Sequence, residues 1–302
     1  MKKGKLLRAS LLIDKYAKII FSLPSLIILI PLIAFPTLYL IYLAFSRFDL
    51  TSMSKPEIIG LGNFIRISSD KYFWGSLINT FIMIISSIIL EFILGLSLAL
   101  ILNEKIKGKR ILQLLFIIPM MIPPIISGLT WRLLYDKFGP LTYIFNIIGF
   151  REIDLIGNPV LAKISIIITE VWKSSPFMFI ILLAGLQAIP IELYDAAKVD
   201  GASSLQIFKH ITWPMLIPAI SIALTLRIIE AFKIFDTVYV ITYGGPAFST
   251  EVLSLYIYRM GFRFGDMGYA SSLSYIMLLI LTIITLILLR ITKLERRMGW
   301  RT

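Results

Sequence analysis

Apolar runs of 18 residues or more recur from one end of the chain to the other, and each can cross the roughly 30 Å hydrocarbon core of a bilayer. Six are read, at about 19–45, 74–102, 111–134, 160–186, 213–241 and 268–290. Lipid offers no partner to a backbone N–H or C=O, so runs of this kind must satisfy their own hydrogen bonds as helices. The expected fold is an all-α polytopic membrane protein of about six transmembrane helices. Residues 19–290 form one membrane domain between a basic segment, 1–18, and a basic tail, 291–302. With 58% hydrophobic and only 16% charged residues, the composition departs from that of soluble domains.

A net charge of +12 would ordinarily raise nucleic acid as a partner. Its placement argues for a membrane instead. With the N-terminus inside, 17 of the 30 Lys and Arg fall in inside segments and 8 in outside ones. That is the positive-inside bias, and an even number of spans leaves both termini cytoplasmic in a multi-pass protein of the plasma membrane. The first apolar run is too long for a signal peptide and lacks a small-residue cleavage site, so it is read as a retained span. The chain has no Cys and a single His, His210, which excludes disulfides and thiolate chemistry and argues against a His-centred site. No stretch matches Gly-x-x-x-x-Gly-Lys-Ser/Thr, so the chain is not expected to hydrolyse ATP, and no enzyme activity, metal site or cofactor is expected in it.

Two interruptions stand out. Pro119 and the pair Pro123-Pro124 mean that the third span cannot be a straight helix. Between the fourth and fifth spans lies a patterned polar loop, 187–212. Pro190 can open a short helix whose first turn carries Glu192, matched to the positive end of the helix dipole. Gly201 supplies a left-handed stop. Ser203 and Gln206 read as a capping box that starts the next helix. Tyr194, Ala197, Leu205 and Phe208 leave apolar side chains with no core of their own, so the loop reads as a plug for another protein's groove.

Ionisable side chains inside spans are costly and normally face a bundle interior or a watery path. In the fourth span Glu170, Lys173, Ser174 and Phe177 share one helical face around Pro176. In the fifth, Arg227, Glu230, Lys233 and Asp236 alternate in sign at three-residue steps, a spacing that allows pairing within the helix. These faces fit a polar path with hydrogen-bonding groups and an aromatic surface, suited to a polyol or sugar. They equally fit interhelical pairing that holds the bundle together. Glu91, alone in the second span, is read as a partner for a neighbouring helix.

The loop core Asp195-Ala196-Ala197-Lys198-Val199-Asp200-Gly201, with Pro214 downstream, resembles the cytoplasmic loop of permease subunits of binding-protein-dependent ABC importers. Further stretches resemble the carbohydrate branch, the maltose-type permeases: Gly60 to Phe64, Trp74 to Thr80, Pro119 to Trp131, Trp172 to Pro176, Ala184 to Pro190, Phe235-Asp236 and Thr242 to Pro246. Together they cover roughly residues 20–290. The resemblance implies a type I importer fold and a sugar (a mono- or oligosaccharide or related polyol) as cargo. It implies a coupling loop carried by Glu192, Tyr194, Asp195, Ala196, Ala197, Asp200, Gly201, Ala202, Phe208 and Pro214. A substrate path would be lined by Glu170, Lys173, Ser174, Phe177, Arg227, Glu230 and Ala231. The implied partners are a second, similar permease, two ATPase subunits that bind the ATP and Mg, and an extracytoplasmic sugar-binding protein. Asp195 stands where the family usually has Glu, one methylene longer. The large outside insertion of some maltose permeases is missing. Two other readings are a self-sufficient proton-coupled carrier using Glu91, Glu170 or Glu230, and a non-transporting scaffold.

Overall fold

The computed structural model describes residues 2–52, 55–104, 106–150 and 153–292, with side chains described between residues 21 and 290. The basic tail from 293 onward, with Lys105 and Arg151, lies outside the described residues. Among the described residues, five helices are long and apolar enough to span a membrane, or six when one sharply bent pair counts as a span. The chain divides into two compact units.

The first unit holds residues 1–68 and 260–275. Helix α1 (Lys2–Ala44) runs through the basic start without a break and contains Pro24, Pro31 and Pro36. Its apolar side chains from Phe21 to Leu38 are largely exposed, as lipid-facing positions are. A hairpin of β1 (Ser46–Arg47) and β2 (Glu57–Ile58) follows, then α2 (Gly62–Ser69). Buried Asn63 donates to the carbonyls of Ala44 and Ser46 at 3.0 and 2.9 Å, which ties the end of α1 to α2. Arg66 pairs with Asp266 at 2.6 Å and lies 3.9 Å over the Tyr269 ring, fixing α2 to the start of the last helix.

The second unit holds residues 69–259 and 276–302. Asp70 caps α3 (Lys71–Asn103) by accepting from the backbone N–H groups of Tyr72 and Phe73. Gly108, at φ +78°, turns the chain into α4 (Lys109–Met121). Pro123 and Pro124 break that run before α5 (Pro124–Tyr135), and the segment Pro124–Ile148 leaves at a bend of 96°. Helix α6 (Pro140–Ile148) is short, and α7 (Pro159–Gln187) starts at an Asn158 cap followed by Pro159.

Helices α3 and α7 approach so closely that a Cβ on Gly95 would lie 2.7 Å from the Met178 Cβ and 2.9 Å from the Phe179 nitrogen. Small residues at such crossings let backbones meet, the main source of packing energy between helices in lipid. Around this seam sits the core of Ile84, Ala99, Met178, Phe179, Leu182 and Leu216.

The loop then forms α8 (Ile191–Val199), followed by α9 (Ser204–Ile207), a single π-helical turn (Phe208–Thr212) and α10 (Trp213–Ala231). The fifth helix therefore begins at Ser204 rather than at the Trp213-Pro214 signal. The π turn shifts the bonding by one residue, so that Trp213 donates to Phe208, and the helix passes Pro214, which has no N–H, without stopping. A break at 232–234 precedes α11 (Phe235–Ile241). After a turn cluster come α12 (Leu253–Tyr258), a second π turn (Arg259–Arg263) and α13 (Met267–Thr292), which crosses from the first unit into the second.

Candidate functional site

Four charges meet where α3, α7 and α10 pack. Arg227 of α10 donates Nε to Glu91 Oε2 at 2.6 Å and Nη2 to Glu91 Oε1 at 2.7 Å, a two-pronged grip across helices. The same Nη2 reaches Glu170 Oε2 at 3.2 Å. Lys173 lies one turn beyond Glu170 on α7 and donates to its Oε1 at 2.6 Å. Thr237 of α11 donates to that oxygen at 2.5 Å. Glu91 is fully buried and Glu170 is 2% exposed, so each carboxylate depends on these partners. Two carboxylates and two cations leave the network neutral, which is how charge is tolerated at this depth.

Beside the network lies a cavity of about 290 Å³. Helix α7 lines it with Glu170, Lys173, Ser174 and Phe177, the set expected from the sequence to share a face. Arg227, Glu230, Lys233 and Asp236 line it from α10 and the segment after it. The broken span contributes Met120, Ile122 and Pro124. Pro124 has no N–H to give the Met120 carbonyl, so this lining residue keeps an unspent backbone acceptor. Donors, acceptors and the Phe177 ring together suit a ligand rich in hydroxyls.

Two expectations need correction. Ala231 is 2% exposed, packs in the apolar core and is not among the residues that line the cavity. The ladder of pairs along the fifth span does not form. Arg227 turns to Glu91 and Glu170, and α10 ends at Ala231, which takes Lys233 and Asp236 off its register.

The loop between the two lining helices is built as its pattern demands. Ser203 and Gln206 form a full capping box. Gly201, at φ +74°, closes α8: its N–H donates to Lys198 at 3.1 Å, and the N–H of Ala202 donates to Ala197 at 2.9 Å, a Schellman end. Glu192, Asp195, Ala196, Asp200 and Pro214 are exposed, with Ala197, Ala202 and Phe208 half-buried. Tyr194 departs from the expectation of an unfilled side chain. It packs on the apolar core, and its hydroxyl lies 3.3 Å from that of Thr212, which straps α8 to the start of the fifth helix. Phe208 also has a neighbour, the Trp213 ring at 6.0 Å. Val199 and Leu205 stay 88% and 75% exposed, so the apolar surface on offer lies there.

The sequence model of binding-protein-dependent transport system inner membrane components matches residues 91–299. The chain belongs to this family. The trehalose/maltose transport system permease protein MalF of Thermococcus litoralis is 39% identical over 275 residues, covering 91% of this chain and 92% of that protein. The trehalose transport system permease protein SugA of Mycobacterium tuberculosis is 33% identical over 89% of this chain and 86% of its own length. A crystallised bacterial ABC transporter involved in the import of the acidic polysaccharide alginate aligns at TM-score 0.79 over 95% of this chain and 98% of its own. At 22% identity that likeness is one of fold, the type I importer permease fold. The chain is thus a multi-pass permease component of an importer.

One buried pair in this permease escaped the sequence reading. Glu251, in the turn cluster before α12, is 2% exposed, and neither carboxylate oxygen accepts a hydrogen bond. Its nearest cation is Arg259 Nη2 at 3.3 Å, which itself donates to the Tyr243 carbonyl at 2.5 Å. Burial pushes the Glu251 carboxyl up to about 7, and Arg259 only partly opposes the rise. A folded value above the ordinary carboxylate range means that stability from this group is fully present below that range and is lost as pH rises through about 7. Melting of the purified importer should therefore fall as pH rises from the ordinary carboxylate range to about 7, and Glu251→Gln should flatten that slope. A wild-type slope retained in the variant would assign the effect elsewhere.

Proposed function

We propose that this permease forms the membrane path for a sugar, a mono- or oligosaccharide or related polyol, in an ABC importer. In this reading it couples to separate ATPase subunits through the 187–212 loop. The observation that carries it is one of connection. Two of the helices that line the polar cavity, α7 and α10, are the two that the capped loop joins, and Tyr194 straps the loop to both the core and Thr212. A push on α8 is thereby delivered to the cavity walls. The names of the trehalose/maltose and trehalose permease relatives support a sugar as cargo. ATP and Mg are held by the ATPase partners, a second permease completes the path, and a binding protein delivers the sugar. Both termini lie on the ATPase side.

A self-sufficient proton-coupled carrier is not favoured. Two of its three candidate carriers, Glu91 and Glu170, are gripped by Arg227 and Lys173. The test is reconstitution in vesicles with and without the partners. Sugar uptake is expected only with the ATPases, the second permease and loaded binding protein all present. Uptake by this chain alone under a proton gradient would overturn the proposal.

A further inference from the structure

We propose that Glu91 is a positioning residue that sets the charge and donor geometry of the cavity, making the path selective for neutral over anionic saccharides. The inference rests on the sugar-path reading above. Glu91 is fully buried on α3 and does not line the cavity, so it acts on a ligand through the group it holds, Arg227, and through its charge. Its two oxygens take up Nε and Nη2 of that guanidinium, and Glu170 takes a further share of Nη2. Nη1 is left as the nitrogen without a protein partner, on a side chain that lines the cavity. A planar fork held on one edge has its opposite edge fixed, so Nη1 is pre-aimed as a donor to a hydroxyl.

Charge sets the second half of the proposal. Glu91 and Glu170 cancel Arg227 and Lys173, so the network donates hydrogen bonds without a net positive field. The remaining charged lining groups are Glu230, Lys233 and Asp236, which sum to one negative charge. A uronate entering such a wall, in surroundings of low dielectric, meets repulsion that a neutral sugar does not. Loss of the Glu91 charge would leave the network with one positive charge, which offsets the one negative charge of the other lining groups and removes that repulsion. A Glu91 that serves only to hold the helices together has no such effect on which ligand binds.

The experiment measures equilibrium binding of radiolabelled trehalose, maltose, glucose and glucuronate to the purified full importer complex, without nucleotide or binding protein. Wild type is expected to bind a neutral sugar and to exclude glucuronate. Glu91→Gln should weaken the neutral sugar about tenfold, roughly 1.4 kcal/mol, and admit glucuronate. Adding Lys173→Gln to Glu91→Gln returns the network to neutrality and should expel glucuronate again. Should Glu91→Gln fail to assemble, Glu91→Asp keeps the charge but shortens the reach, and it should weaken the neutral sugar while still excluding glucuronate. An unchanged ratio of glucuronate to neutral-sugar binding in Glu91→Gln, or unchanged neutral binding in Glu91→Asp, overturns the positioning role. A wild-type complex that binds none of the neutral sugars sinks the path reading itself.

Discussion

Arg227→Met is expected to lower the stability of the purified importer by about 3–5 kcal/mol, because it strands a buried charge without its partner. Glu91 would lose both of its hydrogen bonds at once, and no other cation pairs with it directly. Glu170 would fare better, since Lys173 and Thr237 remain. The double variant Glu91→Met with Arg227→Met should recover most of the loss, because apolar side chains of similar size fill a buried pair's place at little net cost. Thermal unfolding of the two single variants and the double one closes a double-mutant cycle. Losses that simply add would show that the pair does not act as a unit. Sugar binding should not return in the double variant, which separates the structural debt of Arg227 from its contribution to the cavity.

Gly201→Val is the second large effect expected, and it should appear in function rather than in folding. A Cβ at Gly201 would meet nothing within 4 Å, so the substitution crowds no neighbour. What it opposes is the backbone: at φ +74° a β-branched residue is strongly disfavoured, and the Schellman end of α8 must open to relieve it. The opened turn would move the exposed face of α8 away from whatever it docks on. Stimulation of ATP hydrolysis by loaded binding protein should fall at least about tenfold, equivalent to roughly 1.4 kcal/mol of coupling, with melting of the assembled complex nearly unchanged. Full stimulation in an assembled Gly201→Val complex would remove the coupling role from this loop.

What the sequence shows of this molecule follows the range of the signal. The capping box at Ser203 and Gln206, the left-handed stop at Gly201 and the fracture at Pro123-Pro124 are local, and each is present. The Glu170–Lys173 pair was legible because one turn of helix separates its members. Arg227 was misread for the same reason in reverse. Glu230 lies one turn away and is the natural guess, whereas the true partner, Glu91, lies 136 residues earlier and is reached only through packing of α3 on α10. Thr237 was missed because the break at 232–234 carries it to Glu170, and no Pro or Gly marks that break. The early start of the fifth helix was hidden by Pro214, since a π turn leaves no residue pattern of its own. The Glu251–Arg259 pair was missed because its members stand on either side of α12 and meet only through the fold of the turn before it.

The glycine seams have a mechanical consequence. At Gly95 and at Gly185, where a Cβ would come within 2.5 Å of Ala219, the backbones of α3, α7 and α10 touch without an intervening layer of side chains. Sliding of packed helices needs room between them, and at these two points of close approach there is none to spare. The trio is therefore one stiff strut, and strain applied at α8 cannot be dissipated by slip along it. Two of the gaps in the helical ladder, at 122–123 and 232–234, open onto the cavity and are joints at which it can bend. In engineering terms the permease is a rigid lever whose hinges lie at its load.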